Sequence, residues 1–271
     1  MNGQKFKGYL ILSDIDGTIT NDRGEITPEN AAAIRYFQSE GGLVTVSSGR
    51  YPQFIDKYAA AFVPNTYVIG INGTMLFDPV TRVPVVTKPI DDGITDVLHA
   101  LIRDNTCIRH IVASAHDREI TIPGEDFDRI DEILAGLGKP WHRFIIVQNA
   151  DRTMEVMEYL VRLCGDRYNL DRSWSEGIEI HSPDSGKGEL LPDMLALLAG
   201  EDNPIHTTVC VGDYENDISM LQHADIAYAV ENAIDEVKAA SDRVTVHHNH
   251  HALAHIINDL EKEVSNNGGA Q

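Results

Sequence analysis

Cysteine is scarce. Cys107, Cys164 and Cys210 are the three in 271 residues, far apart and in no CxxC pair, which argues against a disulfide framework or a zinc knuckle and fits a reducing cytoplasm. Positive charge is short as well: 22 Lys and Arg face 42 Asp and Glu, a formal net charge of -20. Such a surface repels a nucleic-acid backbone, and no Lys/Arg stripe offsets it locally, so neither a polynucleotide nor a membrane surface is an expected partner. Long apolar runs are also missing, and none approaches the length that spans a bilayer. The opening MNGQKFKGYLILSD passes straight into a β-type run, without an extended apolar segment or a small-residue cleavage site, and reads as native structure.

What is present is a chain of ordinary globular composition, 42% apolar and 24% charged, and too long for a single growing core, so two domains are expected. Tyr9 to Asp14 (YLILSD) is an apolar run closing on a carboxylate, the pattern of a strand buried on both faces of a parallel sheet. Thr27-Pro28 opens a helix that Gly41-Gly42 stops. A strand over Leu43 to Val46, a helix over Tyr51 to Phe62 and a strand over Tyr67 to Ile71 continue the alternation. This predicts an α/β fold, a doubly wound, Rossmann-like and mostly parallel sheet, with ligands beyond the carboxyl ends of its strands. From about residue 82 to 181 the texture changes to strand pairs separated by helices, an inserted α+β module of roughly a hundred residues. The α/β texture then resumes with helix Lys187 to Leu198, strand Thr207 to Val211, helix Glu215 to Ala224, strand Ile226 to Ala229, helix Ala233 to Ser241 and strand Arg243 to Val246. The core is therefore discontinuous, 1–81 with 182–271.

Four short segments carry the chemistry. Asp14 and Asp16 follow the first strand and precede Gly17-Thr18, and i, i+2 spacing in extended backbone sends both carboxylates to one side. Two such neighbours repel, unless a cation lies between them or one stays protonated for acid work; they can also be simple turn or capping aspartates. Gly212-Asp213-Tyr214-Glu215-Asn216-Asp217 ends a second apolar strand, so Asp213 and Asp217 are expected to face Asp14 across the switch point. Four converging carboxylates call for a hard divalent ion such as Mg2+, although Asp213 can equally be a helix N-cap. Ser48, in Ser47-Ser48-Gly49-Arg50, offers a hydroxyl to a phosphate oxygen, and Lys187, in Ser185-Gly186-Lys187-Gly188, a point charge.

In this order, LSDIDGTIT, VSSGR, SGKGELL and VGDYENDISM resemble the four motifs of the haloacid dehalogenase (HAD) superfamily of phosphatases, in particular its Cof-like sugar-phosphatase branch. The resemblance spans nearly the whole chain, including ING at 71–73, IEIHSP at 178–183 and NAIDEVKAASDRVT at 232–245, and the inserted block resembles the α+β cap of that branch. It implies Asp14 as nucleophile and magnesium ligand, and Asp16 as acid and base that also lends the metal its backbone carbonyl. Asp213 is implied as a direct ligand, Asp217 as a residue at the metal's waters, Asn216 as one near the transferring phosphate, and Ser48 with Lys187 as the phosphate-binding pair. Ser48 stands where many relatives have threonine, and Glu231 in AVENA departs from a more usual small-residue turn.

The resemblance implies a cytoplasmic phosphomonoesterase whose partner is a small phosphate ester. Two other readings stay open: a phosphomutase, marked by a bisphosphate requirement, and a binding protein without turnover. Five of the twelve histidines, His247, His248, His250, His251 and His255, crowd 247–255, but no cysteine or carboxylate completes an ordered ligand spacing.

Overall fold

The computed structural model describes residues 4–104, 107–115, 118–201 and 203–268. Two compact units result, one built from both ends of the chain, up to Val86 and from Lys187 onward, the other from Thr87–Gly186. The chain enters the first through β1 (Tyr9–Ser13), α1 (Pro28–Ser39), β2 (Leu43–Val46), β3 (Val68–Gly70), β4 (Met75–Asp78) and β5 (Val83–Thr87). The second holds α2 (Ile94–Asp104), β6 (Ile108–Ala115), β7 (Arg118–Pro123), α3 (Ile130–Leu137), β8 (Trp141–Gln148), α4 (Thr153–Cys164), β9 (Asn169–Trp174) and β10 (Gly177–His181). The return brings α5 (Leu191–Gly200), β11 (Thr207–Gly212), α6 (Ile218–Gln222), β12 (Ile226–Ala229), α7 (Asp235–Ala239), β13 (Arg243–Val244) and α8 (Ala252–Gly268).

The first unit centres on a parallel sheet in the order β13-β12-β11-β1-β2. Leu10, Ile11 and Leu12 are buried on both faces of β1, which is why this strand reads as an unbroken apolar run. Ser13 lies opposite Val211 on one side and Val46 on the other. From β1 the chain winds outward to β2, whereas β11, β12 and β13 extend the sheet the other way, so the strand order reverses between β1 and β11. That is the switch point at which open α/β sheets hold their ligands. Helix α1 starts where expected, with Thr27 accepting from the Asn30 N–H and Pro28 in the first turn.

Two expectations fail here. The strand expected over Tyr67–Ile71 does not join the parallel sheet: β3 pairs antiparallel with β4 in a separate sheet β3-β4-β5, and one bridge, Ser47 to Ile69, links it to the main sheet. Its chain reverses at Ile71 and Asn72, both at positive φ (51° and 48°), which commits it to a hairpin. In place of a helix over Tyr51–Phe62 there is a short 3-10 turn, Pro52–Tyr58, whose buried Pro52, Ile55 and Tyr58 follow a period of three.

The second unit is a five-stranded antiparallel sheet, β7-β6-β8-β10-β9. Its core gathers Leu98, Leu101, Ile111, Phe144, Ile146, Leu160, Ile178 and Ile180. Buried Arg143 bridges Glu179 at 2.7 Å and Glu119 at 2.6 Å. Among the described residues, no helix is long and apolar enough to cross a membrane.

Candidate active site

At the β1/β11 switch point the chain brings four of the sequence-selected residues together. Lys187, in the turn before α5, is buried and places its Nζ 2.6 Å from Asp14 Oδ1 and 2.7 Å from Asp217 Oδ1. Asp14 directly follows β1, its N–H donating to the Val211 carbonyl at 3.0 Å, so the strand pairing itself fixes its place. Asp217 Oδ2 accepts from the N–H groups of Asp213 (2.8 Å) and Tyr214 (3.1 Å), folding the segment after β11 back on itself. Thr18 Oγ1 donates to Asp213 Oδ1 at 3.4 Å. Two glycines make this approach possible. A Cβ on Gly17, whose φ is +81°, would stand 2.4 Å from Asp213 Oδ2, and one on Gly212 would stand 2.4 Å from Asp217 Cβ.

Asp16 does not join them. The alternation that would have aimed it beside Asp14 stops at Ser13, because Ile15–Ile19 is a tight turn, closed by the Thr20 N–H and Oγ1 on the Ile15 carbonyl at 3.1 and 2.8 Å. The Asp16 carboxylate instead forms a two-point ion pair with Arg50, Nε to Oδ2 and Nη2 to Oδ1 both at 2.9 Å, with both side chains about half exposed. The expected four-carboxylate cluster is thus three carboxylates around a lysine. Ser48 is buried just past β2, where its Oγ accepts from the Arg50 N–H at 3.3 Å. Asn72 ties Ser48 to Asn216: its N–H donates to the Ser48 carbonyl at 3.0 Å, and its Oδ1 accepts from Asn216 Nδ2 at 3.2 Å. Arg50 and Asn72 were not singled out from the sequence. Their signals lay inside the quoted SSGR and ING, an arginine beside the serine and an Asn-Gly turn whose preceding Ile71 takes a positive φ that β-branched residues avoid.

Burial dominates the electrostatics. Desolvation pushes the Asp14 carboxyl up to about 7, against the pull of Lys187 and with added repulsion from Asp217. Desolvation likewise raises Asp213 to about 8, reinforced by Asp14 and Asp217. For Lys187 burial works downward, yet Asp14 and Asp217 outweigh it and hold its ammonium above the ordinary range. One oxygen from each of Asp14, Asp213 and Asp217 lies within 4.8 Å of the others, the one His/Cys/Asp/Glu group among the described residues that could hold a metal ion. The donors are all hard oxygens, and burial with mutual repulsion makes two of the carboxyls costly to ionise without a cation, so the residues fit a hard divalent cation.

A pH dependence follows. Both carboxyls titrate higher in the folded chain than at their ordinary 3.8, so the folded state retains protons that the unfolded chain has released. Their contribution is full below about pH 4 and is lost as pH rises through 7 to 8. Melting in EDTA is expected to show stability falling from pH 5 to pH 8, with a shallower fall in Asp213→Asn. A divalent cation should stabilise more at pH 8 than at pH 5.5, because the ligands must lose protons to bind it.

A haloacid dehalogenase-like hydrolase family model matches residues 11–257. The chain belongs to that family. The phosphatase YwpJ of Bacillus subtilis is 25% identical over 291 residues, covering 93% of this chain and 99% of its own. From the same organism, the 5-amino-6-(5-phospho-D-ribitylamino)uracil phosphatase YwtE is 25% identical over 283 residues, 92% of this chain and 97% of its own. Among solved structures, the subclass IIB sugar phosphatase BT4131 superposes with a TM-score of 0.71 at 17% identity, over 93% of this chain and 98% of its own, a likeness of fold. Together the family and its relatives make the chain an enzyme, a hydrolase of the phosphatase type.

Proposed function

We propose that this phosphatase is a magnesium-dependent phosphomonoesterase of small phosphorylated metabolites, sugar phosphates first among them, which works through an aspartyl-phosphate on Asp14. The observation that carries this reading is Lys187, buried with its ammonium between Asp14 and Asp217 while Asp213 stands against the same turn. A nucleophilic carboxylate needs a fixed direction and a neighbouring cation for the incoming phosphoryl group, and Lys187 offers both to Asp14.

In the first step an Asp14 oxygen forms a bond to phosphorus, the bond from phosphorus to the ester oxygen breaks, and Asp16 gives its proton to the departing alkoxide. In the second, Asp16 as carboxylate takes a proton from water, whose oxygen displaces Asp14 from phosphorus and restores the carboxylate. Loading the proton removes the negative charge of Asp16, so its charge-assisted pair with Arg50 weakens when the acid is loaded. Ser48, with Asn216 set by Asn72, is proposed to hold equatorial phosphate oxygens. Asp14 and Asp213, with the Asp16 carbonyl, would hold the cation, while Asp217, both of whose oxygens are engaged by Lys187 and backbone N–H groups, orients the group. When bound, the cation supplies positive charge to the phosphoryl oxygens. We propose that the second unit, Thr87–Gly186, is the inserted cap.

The test is turnover of p-nitrophenyl phosphate, then of a panel of sugar phosphates and 5-amino-6-(5-phospho-D-ribitylamino)uracil ranked by kcat/KM. Activity with magnesium should fall at least ~100-fold in EDTA and return when magnesium is restored. Equal rates in EDTA would remove the metal from the reading, and a bisphosphate requirement would replace hydrolysis by phosphoryl exchange.

A further inference from the structure

We infer that His248 is a positioning residue that braces the turn carrying Asp16, an inference that rests on the phosphatase reading above. The histidine-rich stretch at 247–255 is a conspicuous feature of the sequence that the chemistry leaves unused. Among the described residues it forms no metal-holding group, since the one such group is Asp14, Asp213 and Asp217. His248 stands apart from its neighbours by burial, with 7% of its surface exposed. Its ring Nδ1 lies 2.7 Å from the Thr20 carbonyl oxygen. A carbonyl only accepts, so Nδ1 carries the hydrogen and donates it.

Thr20 is the residue that closes the turn, its N–H and Oγ1 both on the Ile15 carbonyl. The backbone N–H of His248 donates to Asn232 Oδ1 at 3.0 Å, and Asn232 Nδ2 donates to the Gly17 carbonyl at 2.8 Å. One residue therefore reaches the turn twice, through its ring at Thr20 and through Asn232 at Gly17. The next stretch adds a third brace: the Ala254 N–H donates to Asn30 Oδ1 at 3.0 Å, and Asn30 Nδ2 donates to the Ile19 carbonyl at 3.1 Å. Gly17 follows Asp16 and packs so close to Asp213 that an added Cβ would stand 2.4 Å from its Oδ2, so the carbonyl held by Asn232 belongs to the residue between Asp16 and the carboxylate cluster. Supporting a reactive segment from behind in this way fixes geometry without touching substrate. The second ring nitrogen, Nε2, meets Asp22 Oδ1 at 3.1 Å, but the Asp22 side chain is 75% exposed, and such a pair contributes little.

The comparison uses the full chain with p-nitrophenyl phosphate and magnesium. His248→Ala should lower kcat by about tenfold with KM changed less than about twofold. His248→Asn should recover most of kcat, because its amide nitrogen stands as many bonds from Cα as Nδ1 and can donate to the Thr20 carbonyl. His248→Asp, which can only accept there, should stay slow. Asp22→Ala should leave kcat unchanged. Wild-type kcat in His248→Ala, or an Asn variant no faster than the Asp variant, overturns the inference. Amide hydrogen exchange across Ile15–Thr20 reads the same brace without turnover: faster exchange is expected in His248→Ala and His248→Asp and native protection in His248→Asn, whereas equal protection in all overturns it. An inactive wild type with this exchange pattern would refute the phosphatase reading and leave the brace standing.

Discussion

Asp14→Asn is expected to lose phosphatase turnover by at least ~10⁴-fold while folding normally, as happens when a nucleophile that acts within a unit is removed. The amide keeps the shape of the carboxylate, and its oxygen can still accept from Lys187, which also keeps Asp217 as an anionic partner at 2.7 Å. What disappears is the negative oxygen proposed to bond to phosphorus. Because burial and repulsion strain the native carboxyl, pushing it up to about 7, the variant should be no less stable than the parent at pH 8 in EDTA, as expected when a buried charge is replaced by its neutral isostere. Acid quenching during steady turnover of labelled substrate should trap phosphate on the wild-type protein and none on the variant. Near-wild-type turnover in a preparation free of contaminating phosphatases would end the covalent mechanism.

Lys187→Met should be the most damaging single change, because it strikes both chemistry and fold. The methionine fills a similar volume without the ammonium, leaving Asp14 and Asp217, both nearly inaccessible, without their shared cation. Breaking a buried pair by removing one partner costs about 3–5 kcal/mol when the remaining charge stays ionised. Protonation offers Asp14 an escape, since burial already pushes its carboxyl up to about 7, so the cost should be small at pH 5 and grow toward pH 8. Catalysis should drop by at least ~10³-fold, since the transferring phosphoryl group loses a fixed positive neighbour. Urea denaturation at the two pH values, with magnesium absent, checks the stability arm. A pH-independent loss would mean that Lys187 matters for packing and not for charge.

The sequence is informative where one strand's surroundings determine its composition. Strands β1 and β11 are enclosed on both faces, so each appears as an apolar run stopped by an aspartate. What it could not show is contact across the chain. Lys187 and Asp14 lie 173 residues apart, and nothing local in SGKG says that its ammonium is buried and not solvated. The alternation of β1 predicts Asp16 beside Asp14, but that alternation ends at the turn that Thr20 closes. The hairpin at Ile71–Asn72 is hidden in the sequence because VIGI reads like any buried parallel strand, and the reversal depends on two positive φ angles that Ile does not advertise. Arg50, Asn72 and Asn232 were visible within motifs but had no assigned partner until the fold gave them one.

The division of the first unit between two distant stretches of chain bears on how the molecule is made. During synthesis β1 can pair early with β2, but its other edge waits for Thr207–Gly212, since Ser13 bonds against Val211. The intervening Thr87–Gly186 is contiguous and can complete its own antiparallel sheet while that edge is still bare. Long-range parallel pairing is slow and leaves apolar edges exposed meanwhile. The strand that ends at Asp14 consequently leaves one apolar edge bare in the nascent chain, and it acquires its second neighbour only after Thr207–Gly212 has been made.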